Sequence, residues 1–391
     1  MVEEVFSKEE FARYSRHFIL PEINVEGQKK IKKAKVLVIG AGGLGSPVLL
    51  YLAAAGIGTI GIVDFDFVDK GNLQRQIIYT TLDEGKPKAE IAKERILQLN
   101  PHIKVNLHQF KLDSSNALEL ITHYDVIVDG TDNFPTRYLV NDACVLAGKP
   151  EVFGSVFRFE GQVAVFNYKN GEGERSSNYR DIFPEPPAPG EVPNCAEGGV
   201  LGVLPGIIGC MQANEVIKIV CEIGDVLAGK LLLLDTLTFL TRIIKIKKRS
   251  DNPISGETPS ISQLIDYEEF CNISVVDSKE ENQPEIKEID VKTLNELLQN
   301  ANKKVQVIDV REPYEYEIAN IGGELIPLSK IETAVESISD AEYVVLHCRT
   351  GKRSLKAIEQ LQSITSFNNL YNLKGGILSW IEEIDNTLTS Y

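Results

Sequence analysis

The sequence predicts an α/β protein in two parts, a Rossmann-like parallel sheet with an antiparallel extension and a smaller α/β domain after it. From Val36 onward, short apolar runs alternate with helical stretches, which favours parallel strands with helices on the faces of the sheet. A glycine-rich turn, Gly40 to Gly45, directly follows the first of these runs. A second, shorter α/β pattern begins near Glu288.

Composition sets the domain boundaries. A chain of 391 residues is long for a single domain, and the stretch 250–285 is polar and acidic without a clear periodicity. We therefore expect a first domain over residues 1–249, a linker over 250–285 and a second domain over 286–391.

The first domain is expected to open with one or two amphipathic helices over residues 6–33, interrupted near Pro21. Short apolar runs predict strands at 36–39, 59–63, 126–128, 151–156 and 162–168, and a final antiparallel pair at 231–235 and 239–247. Helical periodicity predicts helices at 44–55, 88–99, 133–147 and 204–221.

A Gly/Pro-rich stretch, 170–193, separates these elements and is expected to be a mobile crossover loop ending at Cys195. In the second domain, strands are expected at 305–309 and 343–347 and a helix at 352–361.

The bulk numbers describe an ordinary globular chain with 43% apolar and 25% charged residues. A net charge of −15 and a pI near 5.0 argue against nucleic acid or an anionic membrane as the main partner. The acidic N-terminus has no signal-peptide core, and the apolar stretches are interrupted short of a membrane span. Six cysteines are too few for a disulfide scaffold, so a cytoplasmic protein with reduced thiols is expected.

The glycine turn predicts a nucleotide site. A strand that ends in G-x-G-x-x-G and leads into a helix offers free backbone N–H groups and the positive end of the helix dipole to phosphates. Asp64 ends the next apolar run, where a carboxylate can accept hydrogen bonds from a ribose hydroxyl pair. These two features alone also fit an NAD(P)-dependent oxidoreductase.

Three charged residues favour ATP instead. Arg75 and Lys88 can bind a triphosphate and offset the charge that develops on it, which hydride transfer does not require. Asp132 follows an apolar run, at the strand end where open α/β sheets bind ligands, and a carboxylate there suits Mg²⁺. Each of the three, taken singly, fits a solvated surface charge equally well.

These motifs resemble the MoeB/ThiF-type adenylyltransferases that activate ubiquitin-like sulfur carriers and are relatives of ubiquitin-activating enzymes. The resemblance covers about residues 7–249 and includes Arg13-Tyr14-Ser15-Arg16, the glycine turn, Asp64-Phe65-Asp66, Asn72-Leu73-Gln74-Arg75-Gln76, Gly85-Lys86-Pro87-Lys88, Thr131-Asp132-Asn133 and Gly161-Gln162-Val163. It implies a homodimer that binds ATP and Mg²⁺, with Arg16 reaching the ATP site of the other subunit. The residues it implies at the ATP site are Gly42, Gly43, Asp64, Asp66, Asn72, Arg75, Lys88, Asp132 and Asn133, with Asp132 as the Mg²⁺ ligand.

Cys348 is the first candidate for thiol chemistry. It follows an apolar strand and begins the run Cys348-Arg349-Thr350-Gly351-Lys352-Arg353, which leads into a helix. Backbone N–H groups, the helix dipole and three cations (Arg349, Lys352 and Arg353) favour a thiolate that can hold a persulfide. The alternative is a half-buried structural thiol.

The region around Cys348 resembles a rhodanese domain. The matching motifs are Ile308-Asp309-Val310-Arg311-Glu312-Pro313-Tyr314-Glu315, Ile321-Gly322-Gly323, the Cys348 loop and Leu373-Lys374-Gly375-Gly376-Ile377. One departure is Ile318-Ala319-Asn320, where the family usually has His–Ile or His–Leu before the glycine.

Cys195 is the second candidate thiol. The resemblance to the adenylyltransferases matches it to the cysteine that forms a thioester or persulfide-linked intermediate with the carrier. Its alternative is a buried small apolar residue. Cys144, Cys210 and Cys221 lie in apolar helical stretches and are expected in the core.

The sequence predicts no structural zinc. Zinc sites of this kind need paired C-x-x-C motifs, and none occurs in the chain. Many members of the adenylyltransferase family carry two such pairs, whose equivalent positions here are Asn178 and Asp181, then Asn252 and Ser255. We therefore expect another interaction to hold the crossover loop to the final strands, or a looser loop.

Together, these resemblances predict ATP-dependent adenylation of the C-terminal Gly-Gly carboxylate of a ubiquitin-like sulfur carrier, followed by sulfur transfer from a Cys348 persulfide. The sulfur donor is expected to be a separate protein such as a cysteine desulfurase, and the pathway is of the molybdopterin or thiamine type. The alternatives are adenylation alone beside an independent rhodanese module, an NAD(P)-dependent oxidoreductase, and a tRNA-modifying relative, which the acidic charge balance disfavours.

Overall fold

The computed structural model describes residues 5–187, 198–272 and 286–390. The chain divides into two compact units, Met1–Ser278 and Lys279–Tyr391. The predicted α/β class is confirmed in both, because each unit is built around a mainly parallel sheet with helices.

In the described part of the first unit, eight strands form one sheet in the order β3-β2-β1-β4-β5-β6-β7-β8. The strands are β1 Lys35–Ile39, β2 Thr59–Val63, β3 Lys104–His108, β4 Val126–Asp129, β5 Glu151–Phe157, β6 Glu160–Phe166, β7 Lys230–Asp235 and β8 Leu240–Lys245. The helices are α1 Lys8–Arg13, α2 Ser15–Phe18, α3 Asn24–Lys33, α4 Gly45–Ala55, α5 Lys88–Leu99, α6 Ala117–Thr122, α7 Phe134–Ala147, α8 Val203–Cys221 and α9 Tyr267–Asn272.

The sheet changes direction where the sequence predicts it. Strand β1 pairs in parallel with β2 and β4, and β4 pairs in parallel with β5. From β5 to β8 every pairing is antiparallel, which confirms the predicted extension. Strand β3 was absent from the sequence prediction, because its run Lys104–His108 alternates with polar residues and its final residues are only half-buried.

Helix α8 corrects the expectation that all apolar stretches fall short of a membrane span. By length and composition, Val203–Cys221 is long and apolar enough to cross one. In the structure it is a core helix, since Leu204, Ile208 and Val216 are fully buried. Its buried Gln212 donates hydrogen bonds to the Asp129 and Val152 carbonyls, so α8 is fixed to two strands of the sheet.

The second unit has a five-stranded, all-parallel sheet in the order β11-β10-β12-β13-β9. Its strands are β9 Lys287–Ile289, β10 Val305–Asp309, β11 Glu324–Leu325, β12 Tyr343–His347 and β13 Leu370–Leu373. Its helices are α10 Val291–Gln299, α11 Pro313–Ile318, α12 Lys352–Ile364 and α13 Gly376–Glu383, with a 3₁₀ segment at Leu328–Ser337.

The prediction of a linker over 250–285 is wrong for its described first part, residues 250–272. Residues 250–271 pack with the first unit, where Ile254 and Tyr267 are buried and Phe270 lies against the core beside α7. The sequence does not show this, because the apolar residues of this stretch are spaced without a helical or strand period. Residues 273–285 of the predicted linker lie outside the described residues.

The prediction of a mobile loop over 170–193 is contradicted at residues 177–181, which are buried. Tyr179 and Arg180 are almost fully buried, and the Arg180 guanidinium forms a hydrogen-bonded ion pair with Asp142 at 2.7 and 2.8 Å. A buried ion pair of this geometry holds the segment against α7. Residues 188–193 and Cys195 lie outside the described residues.

Four polar side chains lie at the positions that the resemblance matched to paired cysteines. Asn252 donates from Nδ2 to Asp181 Oδ1 at 2.8 Å, and Asn178 donates from Nδ2 to Ser255 Oγ at 2.8 Å. Asn252 Oδ1 also accepts from the backbone N–H groups of Ile254 and Ser255. We call these residues (Asn178, Asp181, Asn252 and Ser255) the polar clasp. The clasp joins the segment after β6 to the segment after β8, which is the first of the two alternatives that the sequence left open.

Replacing Asn252 by alanine should lower the free energy of unfolding of the first unit by about 2–4 kcal/mol. The amide is fully buried, and its loss removes one donor to the Asp181 carboxylate and leaves the backbone N–H groups of Ile254 and Ser255 without their acceptor. Denaturant unfolding of the full-length protein measures this effect.

The matched control is Asp251→Ala, which removes an exposed pair with Arg249 and should leave the free energy of unfolding nearly unchanged. A chelator should leave the unfolding transition unchanged. Equal stability of the two variants, or one tightly bound zinc per chain, would contradict the clasp.

Candidate functional site

The glycine turn after β1 requires a very close approach of the backbone to itself. Gly40 has φ +89°, and a Cβ at Gly45 would lie 2.0 Å from the Gly40 carbonyl oxygen. Only glycine fits at Gly45, because no Cβ can approach a carbonyl oxygen so closely. The turn therefore brings the N-terminus of α4 directly to the end of β1, where its free N–H groups can face an anion.

A cavity of about 390 Å³ opens at this turn and collects most of the predicted site residues. It is lined by the carboxyl ends of parallel strands, as expected for an open α/β sheet. The predicted residues in its lining are Gly42, Gly43, Asp64, Asp66, Arg75, Lys88, Asp132 and Asn133.

Asp64 is held against the glycine turn. Its carboxylate accepts hydrogen bonds from the Ala41 N–H at 2.8 Å and from the Asp66 N–H at 2.9 Å. Burial raises the pKa of Asp64 above its usual value, although these two donors favour the ionised form. The side chain therefore fixes the turn and also borders the cavity.

Lys88 begins helix α5 and is nearly buried at the cavity. Its Nζ lies 3.1 Å from Asp66 Oδ2, while the Asp66 carboxylate is itself about half exposed. This pair holds a desolvated cation at the cavity, where its field acts strongly on an anionic ligand.

Asn72 positions Arg75. The Asn72 Oδ1 accepts from Arg75 Nη2 at 2.9 Å and from Gln76 Nε2 at 3.2 Å. Asn72 does not itself line the cavity, so its side chain acts through the two residues that do.

Asp132 and Asn133 lie at the N-terminus of α7. Asn133 is the N-cap, and its Oδ1 accepts from the Thr136 N–H at 3.0 Å. Asp132 is exposed at the cavity, and its carboxylate makes no hydrogen bond or ion pair with the other residues in the described ranges. A carboxylate in this position is available to a cation bound together with phosphates.

Arg16 is exposed on α2 and is absent from the lining of its own cavity. The role predicted for it requires a second copy of the chain and stays a prediction.

Sequence reasoning missed three charged residues of the cavity lining. Arg137 is largely buried. Its Nε lies 3.7 Å from Asp129 Oδ2, and its Nη2 donates to the Thr131 carbonyl at 3.3 Å. Its position one turn into α7 was a usable signal. Lys111 and Glu268 also line the cavity, but they are far apart in sequence and no motif connects them.

In the second unit, Cys348 lies at the end of β12 and is almost fully buried. Its Sγ accepts a hydrogen bond from the Gly351 N–H at 3.1 Å, and Gly351 has φ +96° at the start of α12. Ser354 Oγ lies 3.6 Å from the same sulfur. At least one backbone N–H of the loop therefore faces the sulfur, as the sequence predicts.

Gly376 closes the loop from the other side. A Cβ at Gly376 would lie 2.4 Å from the Cys348 carbonyl oxygen, which also accepts from the Ile377 N–H at 2.9 Å. Residues 373–377, which the sequence analysis matched as a motif, thus support the backbone of the cysteine loop.

The three predicted cations do not act alike. Arg353 forms a bidentate pair with Glu315 at 2.6 and 2.7 Å, so its charge is largely compensated. The pair joins α11 to the start of α12, and the effect of Arg353 on the sulfur stays a prediction. Arg349 and Lys352 remain predicted cations of the loop.

A buried ion pair stabilises the start of the second sheet. Arg311 and Asp309 are both fully buried and paired, and Arg311 Nη2 also donates to the Ala319 carbonyl at 2.7 Å. Because this contact uses a backbone oxygen, the departure at Ile318-Ala319-Asn320 leaves the segment held. His347 lies behind the loop, and burial lowers its pKa to about 4, so it is neutral at pH 7.

Comparison with known families matches both units. The ThiF family model matches residues 14–255. The model of the rhodanese-like domain matches residues 291–383.

Curated relatives match this chain over its whole length or over its first two thirds. A protein of Mycobacterium tuberculosis named probable adenylyltransferase/sulfurtransferase MoeZ is 47% identical over 98% of this chain and 96% of its own length. The adenylyltransferase and sulfurtransferase MOCS3 of Drosophila grimshawi is 41% identical over 98% of this chain and 87% of its own length. A sulfur carrier protein adenylyltransferase of Thermus thermophilus is 50% identical over 68% of this chain and 99% of its own.

Among solved structures, E. coli MccB superposes with a TM-score of 0.56 at 23% identity, covering 66% of this chain and 75% of that one. At this identity the likeness shows the fold alone.

Replacing Arg353 by alanine should reduce sulfur transfer from thiosulfate to cyanide by roughly tenfold, because Glu315 loses a charged bidentate partner and the cysteine loop loses its support. Steady-state kinetics with the full-length protein measures this. Lys356→Ala removes an exposed cation from the same helix and is the matched control. Equal activity of the two variants would show that the pair does not support the loop.

Proposed function

The chain belongs to the ThiF family and carries a rhodanese-like domain, which makes it an adenylyltransferase and sulfurtransferase; from this we propose that it activates and thiolates the C-terminus of a ubiquitin-like sulfur carrier. The sulfur carrier named in the Thermus relative supports this substrate. The carrier would end in Gly-Gly, and a separate protein such as a cysteine desulfurase would load sulfur onto Cys348.

One arrangement carries the proposal for the first step. Arg75, Lys88 and the exposed carboxylate of Asp132 surround a single cavity at the glycine turn. Two cations and a carboxylate fit a triphosphate bound with a divalent metal, whereas a nicotinamide dinucleotide needs neither. The names of the relatives that match nearly the whole chain favour this function over the oxidoreductase and tRNA-modifying alternatives.

The adenylation step follows from these positions. The carboxylate of the carrier attacks the α-phosphorus of ATP, the bond to the β-phosphate breaks, and pyrophosphate leaves with the electron pair. Arg75 and Lys88 stabilise the charge on the phosphates, and Asn72 keeps Arg75 in place. Mg²⁺, held by Asp132 and phosphate oxygens, would neutralise further charge. The products are an acyl-adenylate and pyrophosphate.

The sulfur step uses the loop at Cys348. The outer sulfur of the Cys348 persulfide attacks the acyl carbon, and AMP leaves with its electron pair, which gives an acyl disulfide. A second thiolate, for which we propose Cys195, attacks the Cys348 sulfur. The carrier leaves as the thiocarboxylate, and the two cysteines remain as a disulfide that an external thiol reductant must reduce. The connection between the units sets the effective concentration of Cys348 at the adenylate.

The surface of the first unit offers a place for a second copy of the chain. A large apolar groove lies between α4 and α8, and Tyr51, Ile77 and Val203 in its lining are 57–60% exposed. Apolar patches of this kind mark interaction sites. Arg13, on the helix before Arg16, donates to the carbonyl of Leu99, which also lines the groove. We therefore propose a homodimer through this groove, with Arg16 at the site of the partner. We also propose a cytoplasmic location, since the five described cysteines are free.

Replacing Cys348 by alanine should abolish thiocarboxylate formation and leave adenylation of the carrier within about twofold of wild type, because no protein nucleophile takes part in the first step. Mass spectrometry of the carrier, together with release of pyrophosphate, separates the two steps. Unchanged thiocarboxylate formation would favour adenylation alone, with the rhodanese-like domain as an independent module.

Co-expression of Arg16→Ala and Lys88→Ala chains should restore activity that neither variant has alone. In a mixed dimer, the chain with an intact Lys88 receives Arg16 from its partner, so about a quarter of wild-type activity is expected from random pairing. Differently tagged chains allow the mixed dimer to be purified and assayed. Full activity of Arg16→Ala alone, or no recovery in the mixed dimer, would contradict a shared site.

A further inference from the structure

Helix α9, Tyr267–Asn272, lies beyond the residues matched by the ThiF family model, yet it reaches the nucleotide cavity. Glu268 lines the cavity together with Lys111, and Lys111 Nζ lies 2.7 Å from Glu268 Oε1. The segment that leads toward the second unit thus contributes to the site in the first.

The ion pair with Lys111 is not what docks the helix. Both side chains are about 60% exposed, and an exposed pair contributes little to stability. The pair therefore does not account for how the helix is held.

Buried contacts dock the helix instead. The Tyr267 hydroxyl donates to Asp142 Oδ2 at 2.8 Å, and the Phe270 ring lies edge-on to Tyr138 with centroids 5.4 Å apart. One turn earlier, the Ser114 hydroxyl donates to the Ile265 carbonyl. Residues 264–271, which we call the α9 segment, are thereby fixed to the core.

The same helix connects these anchors with the cavity. Tyr138 and Asp142 both belong to α7, whose N-terminal residues Asn133 and Pro135 line the cavity. The docking of the α9 segment and the shape of the cavity therefore both depend on helix α7.

Strand order shows which end of the cavity the α9 segment borders. The glycine turn follows β1, Asp64 follows β2, and Lys111 and Leu112 follow β3, which lies on the far side of β2. With phosphates at the turn and the ribose at Asp64, the base falls toward Leu112, Lys111 and Glu268. A buried apolar side chain and two flanking charges suit the face and the polar edge of a purine.

We propose that the α9 segment is the wall of the nucleotide site at its base end, so that ATP binding and docking of this segment stabilise each other. The inference rests on the proposed use of ATP. Because coupling of this kind is reciprocal, loosening the segment must weaken ATP binding by the same factor by which ATP tightens the segment. The chain continues from here to the rhodanese-like domain, so the nucleotide state would act on the start of that connection.

The test compares three variants of the full-length protein by calorimetric binding of ATP with Mg²⁺. Glu268→Ala should raise the Kd roughly three- to tenfold, through loss of a charged contact at the cavity. Glu269→Ala makes the same change of charge on the same helix, outside the cavity lining, and should change the Kd less than about twofold. Phe270→Ala loosens the anchor without touching the cavity and should raise the Kd by a factor similar to that of Glu268→Ala.

Hydrogen exchange supplies the second readout. Saturating ATP with Mg²⁺ should slow exchange of the backbone amides of residues 264–271 in the wild-type protein, and this slowing should be reduced in Phe270→Ala. If ATP binds but Glu268→Ala matches Glu269→Ala and exchange is unchanged, the wall proposal is overturned and the proposed function stands. If the wild-type protein binds no ATP, the proposed function fails and the inference fails with it.

Discussion

The nucleotide end of the first unit depends on how closely the chain turns after its first strand. A Cβ at Gly45 would lie 2.0 Å from the Gly40 carbonyl oxygen, so the chain can turn this closely only because Gly45 has no side chain. The Asp64 carboxylate then holds the turn through the Ala41 N–H. Without this approach, the N-terminus of α4 would move away from the strand ends, and the cations and carboxylates at those ends would no longer face one volume.

Both units use buried charged or amide side chains to fix the loops that carry chemistry. In the first unit, the pair of Arg180 and Asp142 holds the segment after β6 against α7, and the amide of Asn252 holds it against the segment after β8. In the second, Arg311 and Arg353 hold the segments on either side of the cysteine loop. Removing one partner of such a buried contact strongly destabilises the fold, because the other partner is left unpaired. These contacts therefore fix one arrangement of the loops.

The sequence predicted the elements whose pattern is local. Glycine spacing, apolar runs and the loop after Val344-Val345-Leu346 located both sites, because each signal lies within a few residues. What it did not predict depends on contacts between distant segments. The α9 segment has no period of its own and is ordered by Asp142 and Tyr138 from α7. The polar clasp and the pair of Lys111 and Glu268 likewise join segments whose relation only the folded chain defines.

The central claim is that the cavity at the glycine turn activates the C-terminus of a protein, and exchange between ATP and labelled pyrophosphate tests it most directly. The assay uses the full-length enzyme with a ubiquitin-like sulfur carrier, either intact or lacking its last two residues. The account predicts rapid exchange with the intact carrier and none with the shortened one. Exchange that is independent of the Gly-Gly end, or no exchange with any carrier, would contradict the account.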